Sequence, residues 1–211
     1  MSIVQNFENI KKELIDNHID SKIIAVSKTF DLSYIQPLLD YGHLAYGENR
    51  VQEAKGKWEK LLKINTDIEL HLIGGLQTNK AKDAVKLFKF IHSVDREKLV
   101  NALADVEENL GLKRKYFLQV NTGEEIQKSG SSISNIKKLY DFAKNRLDII
   151  GLMCIPPVDD DSKKHFEILR ELSNELNLNE LSMGMSHDYI EAGKCGATYV
   201  RIGSKIFGQR G

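Results

Sequence analysis

SKIIAVSKTFDLSYIQPLLDYGHLAYGENRVQEAKGKWEKLLK, residues 21–63, carries the pattern on which the fold turns. An apolar, β-branched run at 23–26 is followed by helical periodicity over 33–41. A second short run at 44–46 leads into another helical stretch over 50–63. The first run is continuous in apolar residues, as in a parallel strand covered on both faces. Strand, helix, strand, helix predicts a parallel sheet. The alternation continues outward from this unit. Further runs at 69–73, 90–93, 116–120, 148–153, 180–183 and 198–202 bring the number to eight. Helical segments at 79–87, 97–110, 132–145, 161–176 and 189–194 separate them. Upstream, MSIVQNFENIKKELIDN reads as an amphipathic helix. The reading is an α/β chain forming a single (β/α)8 TIM barrel over 1–211. A doubly wound open sheet is the alternative; it usually has fewer strands, and no GxGxxG follows the first run.

The chain of 211 residues suits one domain of about 200 residues. Hydrophobic residues at 41% supply a core. Lys plus Arg and Asp plus Glu are both 30, so no net charge draws the chain to nucleic acid or anionic lipid. Its two cysteines, Cys154 and Cys195, form no CxxC pair, which argues against a disulfide framework. No apolar run is long enough for a signal peptide or a membrane span, so a cytoplasmic location is expected. HExxH, GxSxG, a Walker A lysine and metal-ligand spacing are all missing from the sequence.

In a barrel, chemistry sits at the C-terminal ends of the strands. Lys28 ends the first run there. Partial burial would favour its neutral amine, which covalent chemistry with an aldehyde requires. A lysine that snorkels to solvent fits the same position. The segment from Leu181 to Arg210 holds two small-residue turns after strand-like runs. Ser186 opens one and is expected to start a short helix, and Gly203 with Ser204 forms the other. Such turns bind phosphate, or serve as ordinary caps. Arg201 stands inside an apolar strand and needs either a structural carboxylate or a cofactor's pyridine nitrogen. His71, in HLIGGLQTNK, is a core histidine or a functional one.

The chain resembles the YggS/PROSC family of pyridoxal phosphate homeostasis proteins, which is similar to the N-terminal barrel of alanine racemase. The likeness runs through AVSKTF, YGENRVQE (46–53), HLIGGLQTNK (71–80), LQVNTGEEIQKSG (118–130), GLMCIPP (151–157), LSMGMSHDY and VRIGSKIFG. It implies a fold-type III-like barrel holding pyridoxal 5'-phosphate as an internal aldimine on Lys28. Ser186, Gly203 and Ser204 match phosphate positions, and Arg201 the arginine facing the pyridine nitrogen. Asn49, His71 and Met183 match the surrounding site, with Met185 beside the phosphate loop; Lys80, Lys128 and Lys137 have no assigned role. Leu70 departs from a common tryptophan. Gly193 replaces a usual isoleucine, which is expected to loosen the helix behind the phosphate turn. The sequence stops just after its eighth strand, so the β-domain that completes a racemase is not expected, nor is robust turnover. The implied function is intracellular buffering or delivery of pyridoxal phosphate, by a monomer that exchanges with free amino acids and contacts apo-enzymes transiently. A low-activity amino acid racemase and a non-covalent binder of a phosphorylated metabolite remain as other readings.

Overall fold

The computed structural model describes residues 1–125 and 127–208. Ile126 of the 118–130 motif and residues 209–211, which include Arg210, lie outside them. The chain opens with α1 (Ile3–Asp16), capped by the Ser2 hydroxyl accepting from the Gln5 N–H. It then alternates β1 (Lys22–Val26), α2 (Leu32–Asp40), β2 (Ala45–Glu48), α3 (Val51–Ile64), β3 (Glu69–Leu72), α4 (Ala81–Leu87), β4 (Phe90–Val94), α5 (Glu97–Leu110) and β5 (Lys115–Asn121). A two-residue strand, β6 (Ser131–Ser132), precedes α6 (Ile136–Ala143). The order ends β7 (Asp148–Cys154), α7 (Ser162–Glu175), β8 (Glu180–Ser182), α8 (Tyr189–Lys194), β9 (Tyr199–Ile202) and α9 (Ser204–Phe207).

All pairings are parallel, and β6 merely extends the edge of β5. The other eight strands run in the order β4-β3-β2-β1-β9-β8-β7-β5, and β4 pairs with β5 to close the barrel. Closure leaves no free edge within the ring. The eight expected runs are these eight strands, with ends displaced by one or two residues. The largest displacement is β2, which extends through Gly47 and Glu48 because these residues pair with His71 and Leu72 of β3. The expected helix at 132–145 is shorter, since Ile133–Asn135 forms a single 3-10 turn ahead of α6.

Alternate residues of each strand separate two apolar regions. Outward side chains such as Ala25, Leu70, Leu72, Leu118 and Val200 join the helices in the larger core. Inward ones, Ile24, Phe90, Phe117, Met153 and Tyr199, fill the barrel itself. The interior is thus packed below and opens at the C-terminal ends of the strands. Gly193, expected to loosen α8, lies inside that helix and against Ile19. A Cβ at Gly193 would stand 2.4 Å from Cγ2 of Ile19, so the Ile19 side chain already fills that space.

Candidate functional site

A cavity of about 770 Å3 opens where the strands end. Six of the eight sequence-predicted residues line it: Lys28, Asn49, Ser186, Arg201, Gly203 and Ser204. Lys28 stands two residues past β1, in a turn whose next residue, Thr29, has φ +70°. Asn49 follows β2, and its backbone is pressed against Gly74. A Cβ on Gly74 would lie 2.3 Å from the Asn49 carbonyl oxygen, so glycine is required for this wall to close. Among the described residues the lining includes Lys28, Lys128 and Arg201 and no carboxylate. The cavity therefore favours an anion.

His71 and Met183 do not line it. His71 is fully buried one layer down, its ring stacked on Phe90 with centroids 4.3 Å apart. Met183 belongs to the outer core, and Met185 is the methionine that reaches the cavity. Strand alternation separates the two, as one faces the helices and the other is past the strand end.

Arg201 occupies the floor, 4% exposed. Its Nη1 donates to Ser182 Oγ (2.8 Å) and its Nη2 to the Cys154 carbonyl (2.8 Å). Among the described residues no carboxylate bonds this guanidinium, so the structural-carboxylate reading is not met. Burial lowers its pKa from the usual value. It nonetheless remains a cation, being the most basic side chain available. Burial also pushes the adjacent Cys154 thiol up to about 12, making it inert. Behind Arg201 the bonds continue inward. Ser182 Oγ meets His92 Nδ1 at 2.9 Å, and His92 Nε2 meets His71 Nδ1 at 3.0 Å. Burial takes the His71 pKa down to about 3 and the His92 pKa well below its ordinary value, so both rings are neutral. This chain was not legible beforehand: Ser182, His92 and His71 come from three strands, with no shared motif.

Ser186 does not start a helix. It sits in a turn, and Asp188 precedes α8 while its Oδ1 accepts the Met185 N–H at 2.6 Å. The Ser186 hydroxyl instead accepts from the N–H groups of Gly203 (3.3 Å) and Lys205 (3.4 Å). Both bonds are long, and one oxygen is collecting two amides at the mouth of the cavity. An anionic oxygen would take that place more tightly.

The model of the alanine racemase N-terminal domain family matches residues 1–211. The chain belongs to this family. A pyridoxal phosphate homeostasis protein of Aquifex aeolicus is 38% identical over 201 residues, covering 90% of this chain and 87% of that one. The structure of PipY from Synechococcus elongatus PCC7942 without PLP superposes with a TM-score of 0.90 at 33% identity, covering 98% of this chain and all of that one. The same protein with PLP bound gives 0.88 at 32% identity. Alanine racemase of Clostridium difficile shares the fold at 16% identity and a TM-score of 0.79, with 99% of this chain matching 57% of that one. Among the described residues of this member, no helix is long and apolar enough to cross a membrane, and no cluster of His, Cys, Asp and Glu is set to hold a metal.

Proposed function

We propose that this chain binds pyridoxal 5'-phosphate in the strand-end cavity and holds it for release to other proteins, as part of intracellular pyridoxal phosphate homeostasis. The observation that carries this is the grouping of Lys28, Arg201 and the Ser186–Gly203–Ser204 turns around one cavity with no carboxylate among its described lining residues. Its volume lies within the range of roughly 300–1,000 Å3 usual for cofactor sites. The donor set fits the group. Hydroxyls and amides at Ser186, Gly203 and Ser204 suit a phosphate, and Val26, Ile73 and Met185 offer apolar walls to an aromatic ring. Arg201, with no carboxylate bonded to it among the described residues, would face the ring nitrogen. When bound, pyridoxal phosphate supplies an aldehyde that condenses with primary amines. Lys28 supplies the resident amine, and the amine of a free amino acid competes with it. A guanidinium at the ring nitrogen opposes its protonation, which disfavours carbanion chemistry and suits storage better than turnover. The whole of 1–211 acts as one binding unit, a cytoplasmic monomer that meets pyridoxal phosphate-dependent apo-enzymes transiently. The relatives named for this role and the PipY structure with PLP bound support the reading.

The test is an absorption spectrum with added pyridoxal phosphate, then borohydride reduction and peptide mass mapping. A visible band and an adduct on Lys28 are expected. Lys28→Ala should lose the adduct and keep weaker, phosphate-anchored binding. Absence of any adduct on Lys28 in the unmodified protein would leave a non-covalent phosphate binder as the better account. Sustained interconversion of the alanine enantiomers, lost on changing Lys28, would instead establish a racemase.

A further inference from the structure

The motif YGENRVQE contributes Asn49 to the cavity, but its two glutamates point elsewhere. Glu48 is fully buried on the outer side of β2, where Oε1 accepts from Ser27 Oγ (2.8 Å) and Trp58 Nε1 (3.0 Å) and pairs with Lys57 Nζ at 2.7 Å. Lys57 is itself 8% exposed, and it also donates to the Ser27 carbonyl at 2.7 Å. Glu53, one turn earlier on α3, accepts the Thr29 N–H at 2.5 Å. The residues on either side of Lys28 are therefore held through their backbones by one face of α3.

Two further observations give this grip a purpose. Thr29 is β-branched yet sits at φ +70°, a conformation that persists only where the surroundings enforce it. Behind the turn lies an open groove of about 540 Å3, bordered by Thr29, Phe30, Asp31, Glu53 and Lys57. On the groove side the turn is held by these polar bonds, together with its own Phe30 N–H donating to the Ser27 carbonyl at 3.2 Å. A buried ion pair such as Glu48–Lys57 is also a poor source of stability. Its placement against the Ser27 carbonyl gives it another use.

We infer that Glu53, backed by the Glu48–Lys57 pair, positions Lys28, forcing the turn at Thr29 into the left-handed conformation that carries the lysine into the cavity. This rests on Lys28 being the attachment residue. Glu53 and Lys57 do not line the cavity; they are positioning residues acting through the backbone on either side of Lys28.

The test compares Glu53→Ala, Glu53→Gln and the double variant Glu53→Ala with Thr29→Gly. Two quantities are read beside thermal stability. One is the rate at which trace acetic anhydride labels Lys28 in cofactor-free protein, by peptide mass mapping. The other is the rate of borohydride-trappable attachment of pyridoxal phosphate. Glu53→Ala is expected to alter Lys28 labelling and to slow attachment by about tenfold or more, as misplacement of a reacting group does. Glu53→Gln still accepts the Thr29 N–H and should stay close to the unmodified protein. Glycine takes positive φ without strain, so Thr29→Gly should restore part of the lost rate in the alanine background. The inference is overturned if Glu53→Ala attaches and labels as the parent does, or if Gln and Ala behave alike and Thr29→Gly restores nothing. If the unmodified protein forms no adduct on Lys28, the cofactor assignment fails, and the labelling comparison still decides the grip on its own.

Discussion

Arg201 shows how one residue's surroundings determine its use. A sealed guanidinium needs dipoles around it, and this one takes the Cys154 carbonyl and the Ser182 hydroxyl. Since Arg201 only donates, Ser182 Oγ is an acceptor there and has its own hydrogen left for His92 Nδ1. His92 then carries its proton on Nε2 and donates to His71 Nδ1. Within this network, and among the described residues, this direction leaves one buried group without a partner, His71 Nε2. The reverse direction keeps the same three bonds but would strand the Ser182 hydrogen as well, so outward-to-inward donation leaves one fewer group unpaired. Replacing His92 by Phe preserves ring stacking on Phe117 but removes both bonds. We expect it to lower unfolding free energy by about 1–3 kcal/mol for each stranded group, measured by denaturant titration. Arg201→Ala is expected to move the absorption band of the pyridoxal phosphate-loaded protein more than it weakens loading. An unmoved band would remove Arg201 from the ring nitrogen.

Single elements show where periodicity informs and where it stops. The run at 97–110 reads as α5 because its apolar positions recur on one face, and Gly111 at φ +63° ends it. The stretch at 132–145 carries similar periodicity, yet its first residues are taken by β6 pairing and a 3-10 turn. Pairing to β5 is a tertiary event that local pattern does not contain. The α8 segment makes a sharper case. Read alone, glycine at 193 weakens a helix; in the fold it admits Ile19. Gly193→Ala should therefore destabilise, because overpacking costs about 1–3 kcal/mol and outweighs a helix-propensity gain of about 1 kcal/mol. In an Ile19→Ala background the sign should reverse, since the obstruction is gone. Thermal melts of the four proteins in the cycle check this, and a loss of equal size in both backgrounds would contradict the packing argument.

At the scale of the whole molecule, the barrel buries neutral His71 and His92, and its outer side half-buries His43. Burial lowers the His43 pKa to about 4 and the His71 pKa to about 3, and the His92 pKa falls well below its ordinary value. In the unfolded chain all three titrate near about 6.5. Below that pH the unfolded state binds protons that the folded state refuses, so stability falls as pH falls. Each such group contributes a slope of about 1.4 kcal/mol per pH unit between its unfolded and folded values. Urea midpoints should therefore drop steeply from pH 6 toward pH 4, and His43→Phe should make that drop shallower. Eight β-branched runs alternating with amphipathic segments determined the barrel from the sequence alone, because period and order are local properties of the chain. Lys28, Ser186, Arg201, Gly203 and Ser204 were legible for the same reason, standing at strand ends or inside an apolar strand where polarity needs explaining. Only the tertiary structure decided that His71 and Met183 lie off the cavity, that Ser182 and His92 stand behind Arg201, and that Glu53 and Lys57 hold the Lys28 turn. Those relations join residues from different strands and helices, and closure of the sheet, not proximity in sequence, brings them within bonding distance.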